Sequence, residues 1–575
     1  MRTDTMKKTV GQMTAQQGER QIDVSRFHTF DELTSLLQGL VASYPKLATL
    51  ESIGKSHEGR DIWLVTITNQ ETGAADDKPA MYIDGNIHAG EVTGCNVALY
   101  TAEMLLSGYG NDADITELLD TRTFYIAPRV QPDGAELYLT TPYTLRSSVR
   151  EWPGGDPDDG LTPEDINNDG LILQMRVKDP KGEWRVSEHD DRLMVKRQPD
   201  ELTGDFYRLY TEGLLNDYVR GPVKLARPKW GLDQNRNWPS NWTTLQRGGG
   251  PFPLSEPETR AVAQFVESHR NIVILQNYHT MGGVLLRSPC AVGDSAIPPR
   301  DMETYQKMGE IGERLTGYPC TPVYDAFPEL DDRGRRNTSG GFIEWTYDHL
   351  GIFSFATELW DLQSRAGIEK PAKDPMRVVR EQTEEDGLKL LKFNDEQLGG
   401  RCFVRWSEFE HPQLGTVEIG GWKLKEVRQN APSEFLLDEC ERNAAFSVRQ
   451  AAMTPKLAIQ GVEVEKIADD AFVIRALVVN EGYLPSYGSE MAQRAGIAKP
   501  VEVQIEGAEP IIGKKKQAIG HLQGRSAARG MMFAFGAGKV ENERLLEWLV
   551  RGTGEVTITA KSEKGGTVRE TVSLA

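Results

Sequence analysis

Apolar positions along the chain change period several times, and each change marks an element. From Phe30 to Tyr44, Leu33, Leu36, Leu37, Leu40 and Val41 recur at helical spacing, with Thr29 placed as a cap before Glu32. Short apolar runs at Ala48–Ile53, Ile62–Ile67, Ala80–Ile83 and Thr123–Val130 predict strands. Between the last two, Val92–Leu106 reads as a buried helix. Strand runs return at Ile272–Leu275 and Ile352–Thr357, separated by a helix around Met302–Leu315, and helical periodicity recurs at Met376–Phe393 and Ser433–Met453. Strands alternating with helices predict an α/β sheet, which takes its ligands in the crevice outside the strand ends.

Two stretches break this pattern. From about Arg150 to Trp230 the chain is polar and rich in Asp and Pro. Within it, Asp165-Ile166-Asn167-Asn168-Asp169-Gly170 copies the start of a calcium loop, although Arg176 stands where such a loop carries its bidentate Glu. Asp156, Asp158 and Asp159 offer further carboxylates. Calcium at Asp165–Asp169 and a plain acidic turn both stay open. Past Pro455, short β-branched segments (Val462–Ile467, Ala471–Val479, Val501–Ile505, Glu555–Ala560, Val568–Leu574) alternate with Gly-rich turns, as in an all-β sandwich. The expected division is a polar tail over 1–25, an α/β domain over 26–453 with an insertion at about 150–230, and a β-sandwich over 454–575.

Length and composition narrow the function. A chain of 575 residues, 39% hydrophobic and 26% charged, suits a multidomain globular protein. The net charge of -19 argues against a nucleic-acid partner, and Lys514-Lys515-Lys516 reads as a solvated turn. No apolar stretch approaches the roughly 18 residues of a membrane helix. The polar segment Met1–Ser25 lacks the hydrophobic core of a secretory signal. Five scattered cysteines without C-x-x-C suit a reducing compartment, so a cytoplasmic location is expected. Gly54-Lys55-Ser56 is no phosphate loop, since residue 49 is Thr, and no G-x-S-x-G elbow supports a serine hydrolase.

The chemistry lies elsewhere. His88-Ala89-Gly90-Glu91 follows an apolar run and places a His and a Glu on one side of a tight turn; His279 comes much later. Two histidines and one carboxylate are a zinc set for hydrolysis, because a fourth position stays open for water. Asp233-Gln234-Asn235-Arg236-Asn237-Trp238 sets a guanidinium beside an amide, suited to clamping the free end of a peptide. Pro132-Asp133-Gly134 leads to Arg146 and Arg150, both candidates for holding an oxyanion. Ser339-Gly340-Gly341-Phe342-Ile343-Glu344-Trp345 looks like a glycine-turned loop feeding a pocket wall. Glu358 ends an apolar run, where a carboxylate is costly unless it meets metal, water or a cation. Tyr278 and Trp238 read as packing residues, and His57, His189, His269, His349, His411 and His521 lack partner motifs.

In order and content these segments resemble the zinc carboxypeptidase family typified by pancreatic carboxypeptidases A and B, over roughly Tyr44 to Asp361. Ile53-Gly54-Lys55-Ser56-x-Glu58-Gly59-Arg60 also looks like the family's entry segment. The resemblance implies a mixed-sheet, carboxypeptidase-like (phosphorylase/hydrolase-like) α/β domain, here followed by the all-β sandwich. It implies one Zn2+ on His88, Glu91 and His279, with Glu358 as general base and acid. Arg146 would polarise the scissile carbonyl, Asn235 and Arg236 would hold a peptide's terminal carboxylate, and Asp233 would orient the first zinc histidine. Ile343 falls where the family tunes its specificity pocket and suggests an apolar side chain; Arg287 suggests an acidic one, and the two stay open. Arg336 replaces the family's Tyr and could pair with a carboxylate, Glu344 stands where an Asp is common, and Arg150 competes with Arg146. The expected activity is hydrolysis of the C-terminal peptide bond of peptides or proteins. An amidase on bacterial wall peptides using the same site, and a non-catalytic protein- or sugar-binding module, are the competing readings.

Overall fold

The computed structural model describes residues 21–151, 160–216, 223–244, 247–328, 338–528 and 541–574. Its centre is one mixed sheet of eight strands: β1 (Ala48–Lys55), β2 (Asp61–Ile67), β3 (Ala80–Gly85), β4 (Thr123–Ala127), β5 (Ile272–Thr280), β6 (Val284–Arg287), β7 (Cys320–Pro322) and β8 (Phe353–Leu359). The spatial order is β1-β2-β4-β3-β5-β8-β6-β7. The inner strands β4, β3, β5 and β8 run parallel, while β1, β2 and β6 pair antiparallel with their inner neighbours.

Every residue of β3, β4 and β5 is buried, so these strands carry unbroken apolar runs instead of alternating, with the polar residues Asp84, Gln276, Asn277 and His279 towards the carboxyl ends of β3 and β5. Their side chains still alternate between two cores. Met81 and Ile83 join the cluster formed with helices Thr93–Gly108, Pro299–Thr316 and Ser433–Ala451. Ala80 and Tyr82 face the opposite cluster, with helices Pro257–Ser268 and Phe342–Leu350. Helix Phe30–Ser43 begins with the expected capping box, the Thr29 amide donating to Glu32 Oε2 at 2.9 Å. The helix expected over Met376–Phe393 is instead two, Arg377–Arg380 and Glu384–Leu398. Thr383 accepts from the Asp386 amide and restarts the helix there, so apolar spacing alone overran a capping box.

The described residues of the Arg150–Trp230 stretch are more ordered than their composition suggests, while Asp156, Asp158 and Asp159 lie outside the described residues. Gln174–Lys178, Trp184–Val186, Met194–Lys196 and Phe206–Thr211 form a six-stranded antiparallel sheet with the hairpin Phe403–His411/Gly415–Trp422. Arg176 forks onto Glu418 at 2.9 and 2.8 Å and lies over the Trp406 ring at 4.8 Å. The calcium-like turn uses its own carboxylates: Asp165 accepts from the amides of Asp169 and Gly170, and Asp169 from that of Leu171.

Beyond Pro455, two four-stranded antiparallel sheets enclose one shared core around Phe472, Ile474, Trp548 and Ile558. This unit docks at the amino ends of the parallel strands. Ser489 Oγ donates to Gly351 O at 2.6 Å, Thr567 Oγ1 to Asp77 Oδ1 at 2.9 Å, and Lys564 Nζ to Ile272 O at 2.5 Å. Burial, helped by Arg270, lowers the Lys564 ammonium to about 7 from 10.5. Between those two pH values the unfolded chain holds a proton that the folded one has lost, so stability climbs with pH across that window. Lys564→Met should therefore raise Tm at pH 6, by on the order of a few kcal/mol in stability, with the advantage fading towards pH 10. Thermal melts of both proteins across that range check it; a constant difference would contradict it.

Candidate active site

The site stands at the carboxyl ends of β3, β5 and β8. After β3, Asn86 adopts a left-handed φ of 61° and its Nδ2 donates to the carbonyls of His88 (2.7 Å) and Ala89 (3.1 Å). That tight reversal turns His88 and Glu91 back over the sheet edge. Parallel register places His279 beside Glu358 and Tyr278 beside Gly85, so one end of the sheet delivers all these groups.

His88 Nδ1 and His279 Nδ1 each lie 2.9 Å from a Glu91 oxygen and 3.1 Å from each other. Among the described residues this is the one set of three His, Cys, Asp or Glu residues arranged to hold a metal, its ligand atoms lying within 4.8 Å of one another. The outer ring nitrogens have acceptors: His88 Nε2 donates to Asp233 Oδ1 at 3.1 Å and His279 Nε2 to Asn277 Oδ1. With those nitrogens protonated, both Nδ1 atoms turn lone pairs to the same point beside a buried carboxylate. Such a nitrogen, nitrogen and oxygen donor set fits zinc. Burial alone would raise the Glu91 carboxyl, but His88 and His279 hold it well below the usual range.

Asp233 and Arg146 support this centre. Arg146 Nε donates to Asp233 Oδ2 at 3.0 Å and its Nη1 to Glu91 Oε1 at 3.2 Å, while its carbonyl accepts from the Ala89 amide. Arg150, the competing arginine, forks instead onto the buried Glu256 at 2.9 and 2.5 Å. Asp233 also accepts from the Asn235 amide, and Asn235 Oδ1 accepts from the Phe342 amide at 2.9 Å. Gly340, at φ 73°, packs against the Arg236 carbonyl so closely that a Cβ would lie 2.6 Å from its oxygen. The Asp233–Trp238 loop and the Ser339–Gly341 turn are thus built on each other. Asp133 lies apart and accepts from Ser56 Oγ, the Glu58 amide and Arg60, tying down the entry segment.

A cleft of about 250 Å³ opens beside the triad, with Arg146, Asn235, Arg236 and Glu358 at its polar side. Its other wall is apolar, from Ile343, Leu286, Val323, Phe327, Met376 and Val379. Arg287 follows Leu286 on β6, forks onto Asp294 at 2.8 Å twice, and is absent from the wall. Alternation along the strand separates the two side chains. Glu358 is half-buried, and burial with the neighbouring Glu91 charge pushes its carboxyl up to about 7 against the pull of His279 and Arg146. Arg336 lies outside the described residues.

Two contributors escaped the sequence reading. Asn277 sits two residues before His279, hence on the same face of β5, and its Nδ2 donates to Asp84 Oδ1 at 2.5 Å. That spacing was the available signal. The Thr280 amide donates to Glu91 Oε2 at 3.2 Å, and a backbone donor of this kind leaves no mark in a sequence.

The chain is 26% identical to carboxypeptidase A2 of Rattus norvegicus over 383 residues, covering 64% of this chain and 70% of that protein. It is 30% identical to carboxypeptidase B of Astacus astacus over 178 residues, 31% of this chain and 50% of that one. The crystal structure of carboxypeptidase A from Helicoverpa armigera aligns with a TM-score of 0.39 at 17% identity, covering 70% of this chain and 80% of that chain. A profile described as a domain of unknown function, DUF8731, matches residues 456–573. The zinc carboxypeptidase profile matches residues 33–384, more than half of the 575, and the chain therefore belongs to the zinc carboxypeptidase family.

Proposed function

We propose that the protein is a zinc-dependent metallocarboxypeptidase that removes an apolar residue from the free C-terminus of peptides or proteins. The observation carrying this reading is the convergence of His88, Glu91 and His279 beside Glu358, at the mouth of a cleft with an apolar wall. A zinc ion held by these three side chains would supply Lewis acidity, which polarises a carbonyl and acidifies water. Glu358 accepts the proton of the attacking water and returns it to the leaving amine, a task suited to a carboxyl held near neutrality. Arg146 donates to the oxygen that becomes negative as the carbonyl turns tetrahedral. Asn235 and Arg236 receive the terminal carboxylate, which registers the last peptide bond against the reacting groups. Asp233 keeps Nδ1 of His88 free to coordinate by accepting from Nε2. Calcium at Asp165–Asp169 forms no part of this reading; those carboxylates accept from the turn's own amides.

Specificity follows from the wall. A C-terminal Leu, Ile or Phe exchanges water for Ile343, Leu286 and Phe327, whereas Asp, Lys or Arg would bury a charge with no partner among the described apolar residues of that wall. Apolar C-termini should be released with kcat/KM at least about 10²-fold above charged ones. A peptide library read by mass spectrometry checks bond position and side-chain preference together. Cleavage of C-terminally amidated peptides at the same rate, or internal cleavage, would contradict the proposal.

A further inference from the structure

The turn that carries His88 and Glu91 is held from behind by a residue distant in sequence. Asn430 lies between the π-helical turn Leu424–Arg428 and the helix Ser433–Ala451, and it is fully buried. Its Oδ1 accepts from the Thr93 amide (3.1 Å) and the Thr93 hydroxyl (3.0 Å). Its Nδ2 donates to the Gly90 carbonyl at 2.8 Å and lies 3.1 Å from Tyr138 Oη and 3.2 Å from the Lys425 carbonyl. Glu91 sits between Gly90 and Thr93, so one amide grips the backbone on both sides of it. Thr93 opens the helix Thr93–Gly108, whose cap residue Val92 has no side-chain acceptor. Helix starts leave orphan amides, and Asn430 serves one of them from 337 residues away. The packing is equally close: a Cβ on Gly90 would lie 2.7 Å from both the Gln429 amide and the Tyr138 ring.

We infer that Asn430 is a positioning residue for the metal centre, fixing the Gly90–Thr93 backbone so that the Glu91 carboxylate meets the two Nδ1 atoms. The inference rests on the proposal that Glu91 is a metal ligand. Asn430 lies outside both matched stretches, 33–384 and 456–573, so neither family profile includes it.

The test compares zinc affinity, by chelator competition, and the visible spectrum of the cobalt(II)-loaded protein. Asn430→Ala should weaken zinc by about 10- to 100-fold and shift the cobalt bands, because the ligand it steadies is displaced. Thr93→Val, which removes one donor to the Asn430 oxygen at nearly constant shape, should weaken zinc in the same direction by at least about threefold; it serves if Asn430→Ala fails to fold. Asn394→Ala is the control: this equally buried amide accepts from the Cys402 backbone and touches no part of the site, so its zinc affinity should match wild type. Unchanged zinc and cobalt behaviour in Asn430→Ala or Thr93→Val, with wild type binding one zinc, overturns the inference alone. So does an equal loss in Asn394→Ala. Wild type binding no zinc overturns the metal proposal as well.

Discussion

Glu358→Gln is expected to lower kcat by roughly 10²–10⁴-fold while zinc content and KM stay close to wild type. Gln matches Glu in shape and can still meet a water, but it cannot take up a proton. The wild-type rate should fall on the acid side as Glu358 becomes protonated. Burial and the neighbouring Glu91 charge push that carboxyl up from its ordinary range. A bound dication pulls it down, so the acid limb of kcat/KM should lie at or below about 7. The sign is fixed: activity drops as pH falls through the pKa, and the residual rate of Glu358→Gln should lack this limb. Steady-state kinetics over about pH 4.5 to 9 with metal analysis of each preparation checks both parts, a span that brackets the expected limb by about two units or more on the basic side. Undiminished turnover by the variant would remove Glu358 as the base.

The second large effect separates two arginines that share a stretch of chain. Arg146→Met should reduce kcat by about 10²–10³-fold with little change in Tm, since its side chain stands partly exposed in the cleft and its proposed role is to serve developing charge. Arg150→Met should do the reverse. It would leave Glu256, fully buried, without the fork it now receives, at a cost of about 3–5 kcal/mol, while kcat changes little. Paired thermal melts and kinetics decide the matter. A catalytic defect in Arg150→Met with an intact Tm, and none in Arg146→Met, would exchange the proposed roles.

Much of this architecture was legible because its physics is local. Strands buried on both faces show as unbroken apolar runs, and the runs Ala80–Ile83 and Ile272–Leu275 announced the strands Ala80–Gly85 and Ile272–Thr280 that way, short of their polar carboxyl ends. His88 and Glu91 were visible because a turn brings residues three apart together. What stayed hidden depends on distant partners. The strand Gln174–Lys178 has a modest core around Met175 and pairs with Gly415–Trp422, a contact separated by 242 residues at Arg176 and Glu418. A stretch so polar reads as loop until its partner is known. Glu543–Arg551 is a different case: Leu546, Trp548 and Val550 alternate inward, and the period-two signal was present but unread. Asn277 was likewise within reach by parity with His279, whereas nothing near Asn430 in the chain marks its bond to Gly90.

The β-sandwich meets the catalytic layer at Asp77, Ile272 and Gly351, where the parallel strands begin and the cleft is farthest away. A bead, surface or fusion partner tethered to that sandwich would therefore leave the mouth of the enzyme facing outward. Immobilised through this natural pedestal, the protein should trim the tails of large folded substrates as readily as it does short ones.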